Sequence, residues 1–167
     1  GYSAHVGENL VRREFCNEAE RLIQLLLQSN LSDKSRVWAL AALLTFQASR
    51  LNARTDDQGH IVRLEQQNRS QWDQKKIAYG FFCIEHSMQT ETRSRYHLEA
   101  AIAACHALAP SYQETDWIQI REFYDQLLEM APSAVIELNR SVAILMTEGP
   151  EAAIAILKRL EKAGELK

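Results

Sequence analysis

Apolar residues recur at three- and four-residue steps along most of this chain, and the interruptions are few. Residues 8 to 58 contain neither proline nor glycine, an interval that holds two helical patterns parted by Ser29-Asn30-Leu31-Ser32-Asp33. In the first, Val11, Phe15, Ala19, Leu22, Ile23 and Leu26 alternate with Arg12, Arg13, Glu18 and Glu20. This spacing predicts an amphipathic helix with the apolar set turned inward. The second, around residues 37–44, is apolar on nearly every face and reads as a helix surrounded by others, with Ser32 or Asp33 as its N-cap. The pattern lapses between residues 53 and 67. There Asp56-Asp57-Gln58-Gly59-His60 marks a turn, and residues 61–65 form either a short hairpin or an extended loop. Helix resumes with Ser70 as N-cap and Asp73 at the third position, and runs through Ile77, Phe81, Ile84 and Met88. Gly80 lies inside it, where glycine costs about 1 kcal/mol against alanine, so close helix packing is its expected justification.

Four more helices follow by the same reading. One runs from Tyr96 to about Leu108 with Leu98, Ala101, Ile102 and Cys105 on one face, and stops before Pro110. Thr115 caps the next, whose inward stripe is Trp117, Ile120, Tyr124, Leu127 and Leu128. Pro132-Ser133 starts another through Val135, Leu138, Val142 and Leu145, and Gly149-Pro150 ends it. A last helix over residues 151–163 turns Ile154, Leu157 and Leu160 inward. Residues 1–167 thus read as a single all-α domain of about seven helices in antiparallel hairpins. The last three helices, with their Ala131-Pro132-Ser133 and Glu148-Gly149-Pro150-Glu151-Ala152-Ala153 turns, resemble a tetratricopeptide array of about one and a half repeats. Such pairs stack their stripes and generate a concave surface suited to another helix or peptide.

Composition narrows the function classes. A hydrophobic share of 46% with 25% charged residues is the balance of an ordinary globular domain. The 19 Lys+Arg against 22 Asp+Glu give a net charge of −3, without the basic surplus of an autonomous nucleic-acid binder. No stretch approaches the roughly 18 consecutive apolar residues of a membrane helix, and the start has no signal-peptide pattern, so a cytoplasmic location is expected. Cys16, Cys83 and Cys105, odd in number and widely spaced, suit reduced thiols.

Little catalytic chemistry is legible. There is no glycine-rich phosphate loop. Cys83 and His86 stand one helical turn apart, but a closed zinc site needs two further ligands, which the neighbouring sequence lacks. Cys105 and His106 are adjacent and point to different faces. Residues 56–59 lack the alternating oxygen ligands of a calcium loop. Trp38, Trp72 and Trp117 fall on apolar stripes or at helix starts, where packing explains them. No enzyme, metal or cofactor is expected.

The richest polar constellation is Arg54, Asp56, Glu65, Gln67, Asn68, Arg69, Ser70, Trp72 and Asp73. Residues 50–76 hold six basic and four acidic side chains, locally 6 − 4 = +2, whereas residues 110–167 hold six against ten, or −4. One reading is a solvated loop tied down by Arg–carboxylate pairs. The other is a docking surface, since clustered Arg, Trp and Gln beside a long loop have the composition of an interface hot spot. On that reading the binding residues are Arg54, Asp56, Glu65, Gln67, Arg69, Trp72 and Asp73.

The stretch Arg54-Thr55-Asp56-Asp57-Gln58-Gly59 through Leu64-Glu65-Gln66-Gln67-Asn68-Arg69-Ser70-Gln71-Trp72-Asp73 resembles the signature of a C-terminal extension found on one group of extracytoplasmic-function (ECF) sigma factors. Further matches to that extension follow the same order: Gly1-Tyr2-Ser3-Ala4, residues 98–106, Thr115-Asp116-Trp117, and Pro132-Ser133 with residues 138–143. The resemblance implies a bacterial transcription initiation factor whose DNA-reading domains lie N-terminal to residue 1. It also implies a helical, tetratricopeptide-like extension that regulates the sigma factor in cis. The implied partners are the N-terminal sigma domains of the same polypeptide and the RNA polymerase core, with promoter DNA reached only through the absent domains and no membrane. A small-molecule effector is the alternative, making the domain a metabolite sensor that modulates the attached sigma factor. Two departures stand out: Asn68 occupies a position where the family has aspartate, and the family continues past Glu165-Leu166-Lys167 with another helical pair, so an open apolar end is expected.

Overall fold

A computed structural model describes residues 2–30, 33–91 and 93–165, with side chains from Glu14 onward. Seven α-helices lie among them: α1 (Tyr2–Gln28), α2 (Lys34–Ser49), α3 (Gln74–Ser87), α4 (Arg95–Leu108), α5 (Trp117–Met130), α6 (Ala134–Glu148) and α7 (Pro150–Lys162). Single turns of 3₁₀ helix at Leu51–Ala53, Leu64–Gln66 and Arg69–Gln71 punctuate the link from α2 to α3. The class is all-α, as the periodicity requires.

Helix α2 is the centre of the first half, packed by α1, α3 and α4. Its small residues Ala39, Ala41 and Ala42 are buried and let neighbours approach closely, while Phe46 fills the space they leave. Gly80 of α3 meets that ring: a Cβ built there would lie 2.6 Å from Phe46 Cε1. Asp33 caps α2, accepting from the Arg36 amide at 3.2 Å; Ser32, the alternative cap, lies outside the described residues, as do Gly1 and the side chain of Val11. Lys34, in the first turn of α2, reaches back and donates to the carbonyls of Leu27 and Ser29, closing the end of α1.

Helix α4 is a wall shared by two cores. Ala100 and Ala104 join the cluster built from Phe46, Trp72, Ile77 and Cys83, whereas Leu98 and Ile102 join a second cluster with Trp117, Ile120, Leu127, Ile136 and Ala143. A buried polar seam fixes its start. The Ser94 amide donates to His97 Nδ1 (3.1 Å), which leaves the proton on Nε2 to face Ser35 Oγ (3.0 Å) and the Ser87 carbonyl (3.3 Å). The seam thereby ties the beginnings of α2 and α4 to the end of α3.

Several expected details differ. Asp73, not Ser70, caps α3, accepting from the amides of Lys75 (3.0 Å) and Lys76 (3.1 Å). Ser70 instead sits in a 3₁₀ turn capped by Asn68. Asp116 caps α5 through the Gln119 amide, while Thr115 donates its hydroxyl to the Ser111 carbonyl. On α6 the stripe Val135, Leu138, Val142 and Leu145 faces outward, and Ile136, Ser141, Ala143 and Ile144 face in. This helix is apolar on two sides and packs on α5 and α7, which leaves the second side uncovered among the described residues. Ile154 on α7 is likewise exposed, with Ala153 and Leu160 buried beside it. Among the described side chains of α1 only Ile23 is buried; Phe15 (71% exposed), Leu22 and Leu26 turn away, since α1 packs chiefly on α2 and meets α3 only at its edge, through Glu20–Lys76 and Gln24–Tyr79.

Candidate functional site

The signature segment folds into a clasp over the end of α2. Its turn is closed by an isolated antiparallel bridge between Thr55 and Ile61, with the Asp56 carboxylate accepting from the amides of Gln58 (2.9 Å) and His60 (2.8 Å). Gly59 occupies the left-handed region at φ 83°, which glycine adopts without strain. These amides hold the Asp56 carboxyl below the usual carboxylate range. Gln67 is buried and works in both directions: its amide donates to the Val62 carbonyl (3.0 Å), and its oxygen accepts from Arg50 Nε (3.3 Å). Asn68 Oδ1 accepts from the Ser70 amide and hydroxyl, bonds an aspartate would accept equally, so the neutral amide suffices there. The Asp73 amide donates to the Ser49 carbonyl at 2.9 Å, tying the clasp back to α2.

At the floor of the clasp lies Trp72, 3% exposed. Two guanidiniums stack on its indole, Arg69 at 4.0 Å and Arg50 at 5.2 Å from the ring centroid. Arg69 Nη1 also donates to the His106 carbonyl on α4 (2.9 Å). No carboxylate among the described residues pairs with Arg50, Arg54 or Arg69. Burial, then the charges of Arg54 and Arg69, push Arg50 down to about 10. Burial, then the charges of the half-buried Arg50 and Arg69, push His106 down to about 4, so its imidazole is neutral at physiological pH. Three buried polar atoms here have no hydrogen-bond partner among the described residues: Arg69 Nη2, Trp72 Nε1 and His106 Nδ1.

Of the seven residues with docking composition, the structure therefore gathers Gln67, Arg69, Trp72 and Asp73 into an internal clasp. Arg54, Asp56 and Glu65 remain exposed on its rim. Arg50 and His106, brought in from α2 and α4, belong to the same cluster, and their place in it depends on long-range packing that helical periodicity does not encode.

Beside the clasp opens a groove of about 460 Å³ between α2, α4, α5 and α6. Arg50, His106, Gln47, Tyr124 and Asn139 supply polar groups, and Leu43, Leu64, Ile102 and Ile136 are among its apolar walls. Glu99 also lines it, with its carboxylate held by Arg95 at 2.7 Å.

Elsewhere the chemistry is quiet. Burial raises the thiols of Cys83 and Cys105 to about 11, the protonated, unreactive range. His86 packs on Phe82 and Trp38 with Nδ1 near the Phe82 carbonyl, and does not join Cys83 in a ligand set. Among the described residues no group of three or more His, Cys, Asp or Glu side chains is arranged to hold a metal, and no helix is long and apolar enough to cross a membrane.

These features define a helical-hairpin domain with a clasp-bound arginine pair. The chain belongs to a family of unknown function, DUF6596, whose profile matches residues 1–88, from α1 to the residue that closes α3. An uncharacterized protein of Rhizobium meliloti (strain 1021) is 41% identical over 160 residues, which cover 96% of this chain and 38% of that protein. No solved structure matches the chain.

Proposed function

We propose that the chain is a regulatory domain of a bacterial ECF-type RNA polymerase sigma factor, working in the cytoplasm through protein–protein contacts with the sigma core or the polymerase. The ordered signature matches support this reading, and the 41%-identical relative, of which the chain spans 38%, has length to spare for DNA-reading domains. The observation that carries the docking role is the apolar stripe of α6. Val135 (65% exposed), Leu138, Val142 and Leu145 recur at helical spacing and form an exposed row along α6, and Ile154 of α7 is exposed as well. An exposed apolar row on one helix face is the kind of surface that marks interaction sites. The clasp residues Trp72 and Gln67 are buried, so docking falls to this stripe and to the clasp's exposed rim.

The test is in vitro transcription with the full-length polypeptide and polymerase core. Leu138→Lys with Val142→Lys is expected to change promoter-dependent transcription by several-fold while leaving the melting temperature of this domain in place. Unchanged transcription sinks the docking role of α6. A second reading, a domain whose packing responds to a small metabolite, is favoured by the open groove whose wall carries the carboxylate-free Arg50.

A further inference from the structure

We infer that the groove between α2, α4, α5 and α6 is a binding site for a small amphipathic oxyanion, a carboxylate or phosphate monoester with an apolar body, whose anionic head is held by Arg50. This names a ligand class for the metabolite-responsive reading and rests on the groove alone, so it holds whether or not the chain regulates a sigma factor.

Charge is the first argument. Arg50 lines the groove with its Nε committed to Gln67, and it has no carboxylate partner among the described residues. Arg54 and Arg69 add positive charge nearby, and the acid on the groove wall, Glu99, is paired with Arg95. The uncompensated sign of the site is therefore positive, the reverse of the whole chain at −3. Guanidinium stacking on Trp72 positions the cation without neutralising it. A planar guanidinium with free terminal nitrogens matches an oxyanion in two-pronged geometry.

Unsatisfied polarity is the second. Of the three buried atoms without partners among the described residues, His106 Nδ1 belongs to a residue that lines the groove, while Arg69 Nη2 and Trp72 Nε1 lie in the clasp on which Arg50 stacks. Native proteins rarely leave such groups unpaired unless water or a ligand completes them. His106, neutral, lines the groove itself and offers either a donor or an acceptor. The third argument is shape and lining. About 460 Å³ falls within the range of small-molecule sites, and Leu43, Ile102 and Ile136 supply apolar lining beside the polar groups. A purely ionic ligand would leave them wet, whereas an acyl or alkyl body covers them.

Titration calorimetry on the intact chain tests this with three probes of equal length: hexanoate, hexyl phosphate and, as a cation, hexylamine. Saturable binding of hexanoate or hexyl phosphate is expected, with the tighter of the two identifying the head group, and none of hexylamine. Arg50→Gln is expected to weaken that binding about tenfold or more, the usual consequence of losing a charge-assisted pair. Arg63→Gln, which removes an exposed charge elsewhere on the loop, is expected to leave it unchanged. If Arg50→Gln disturbs the fold by circular dichroism, Arg50→Lys replaces it and is expected to retain part of the affinity. Absence of saturable binding by both anions, equal binding of hexylamine, or unaltered affinity in the Arg50 variant overturns the assignment. Transcription assays are not involved, so failure here leaves the docking proposal standing and success does not establish it.

Discussion

His106 shows how one residue carries two charge effects. Its ring packs edge-on against Trp117 of α5 at 5.2 Å, while Arg50 at the end of α2 and Arg69 of the clasp add positive charge that disfavours its protonation. With a folded pKa of about 4 against an ordinary value near 6.5, the unfolded chain takes up the proton first as pH falls. The stability that neutral His106 confers is thus complete above about pH 6.5 and is lost progressively down to about pH 4. His97, also shifted down by burial in its seam, acts in the same direction. Asp56, held below the usual carboxylate range, adds its own loss only at lower pH. The urea midpoint is expected to fall between pH 7 and pH 4.5, and His106→Gln to flatten that fall. An unchanged slope in the variant would assign the whole effect to other groups. Residue roles of this kind were poorly legible in the sequence. Arg69 and Trp72 have the composition of an interface hot spot, and the sequence does not show that they stack on one another or that Arg50 and His106, 19 and 37 residues from Arg69, join them.

At the scale of the element, helices were legible and their faces were not always. The segment from residue 37 to 44 has no polar face, and α2 is enclosed on three sides. On α6 both faces are apolar: Leu138, Val142 and Leu145 lie outside while Ile136 and Ile144 are buried beside Ala143 and Ser141, so which face turns inward is set by where the neighbouring helices approach. Caps were displaced by a few residues where two candidates competed, as with Ser70 and Asp73. Gly80 states the proximity rule directly. Alanine there gains about 1 kcal/mol of helix propensity, but its Cβ would fall 2.6 Å from a Phe46 ring already packed edge-on against Phe81 at 5.1 Å. Overpacking costs about 1–3 kcal/mol, so Gly80→Ala is expected to be neutral to destabilising and Gly80→Val more strongly so. A chemical denaturation midpoint that rises with Gly80→Val would show that the helices can separate without loss.

Across the whole molecule, two hydrophobic cores share one helix, and the matched family region stops at residue 88, before that helix begins. The boundary of the family profile is therefore not a boundary of packing, and similarity to the Rhizobium meliloti protein runs past it over 96% of the chain. Ala100 and Ala104 complete the core that holds Trp72, and Arg69 reaches across to the His106 carbonyl. Thermal unfolding is expected to be a single transition. With Trp117→Phe, the remaining fluorescence of Trp38 and Trp72 should follow the same curve as far-UV circular dichroism, whereas separated transitions would mean the cores melt independently.

The shared helix also bears on how such a chain can vary over descent. A hairpin at the outer end, such as α6 and α7, can be gained, lost or exchanged at the expense of a single interface. Helix α4 offers no free side on which substitutions can accumulate unnoticed: a larger residue at Ala100 or Ala104 presses on one core, and a smaller one at Leu98 or Ile102 hollows the other. Change in length belongs at the far end of the stack, and α4 is the fixed course on which the rest is laid.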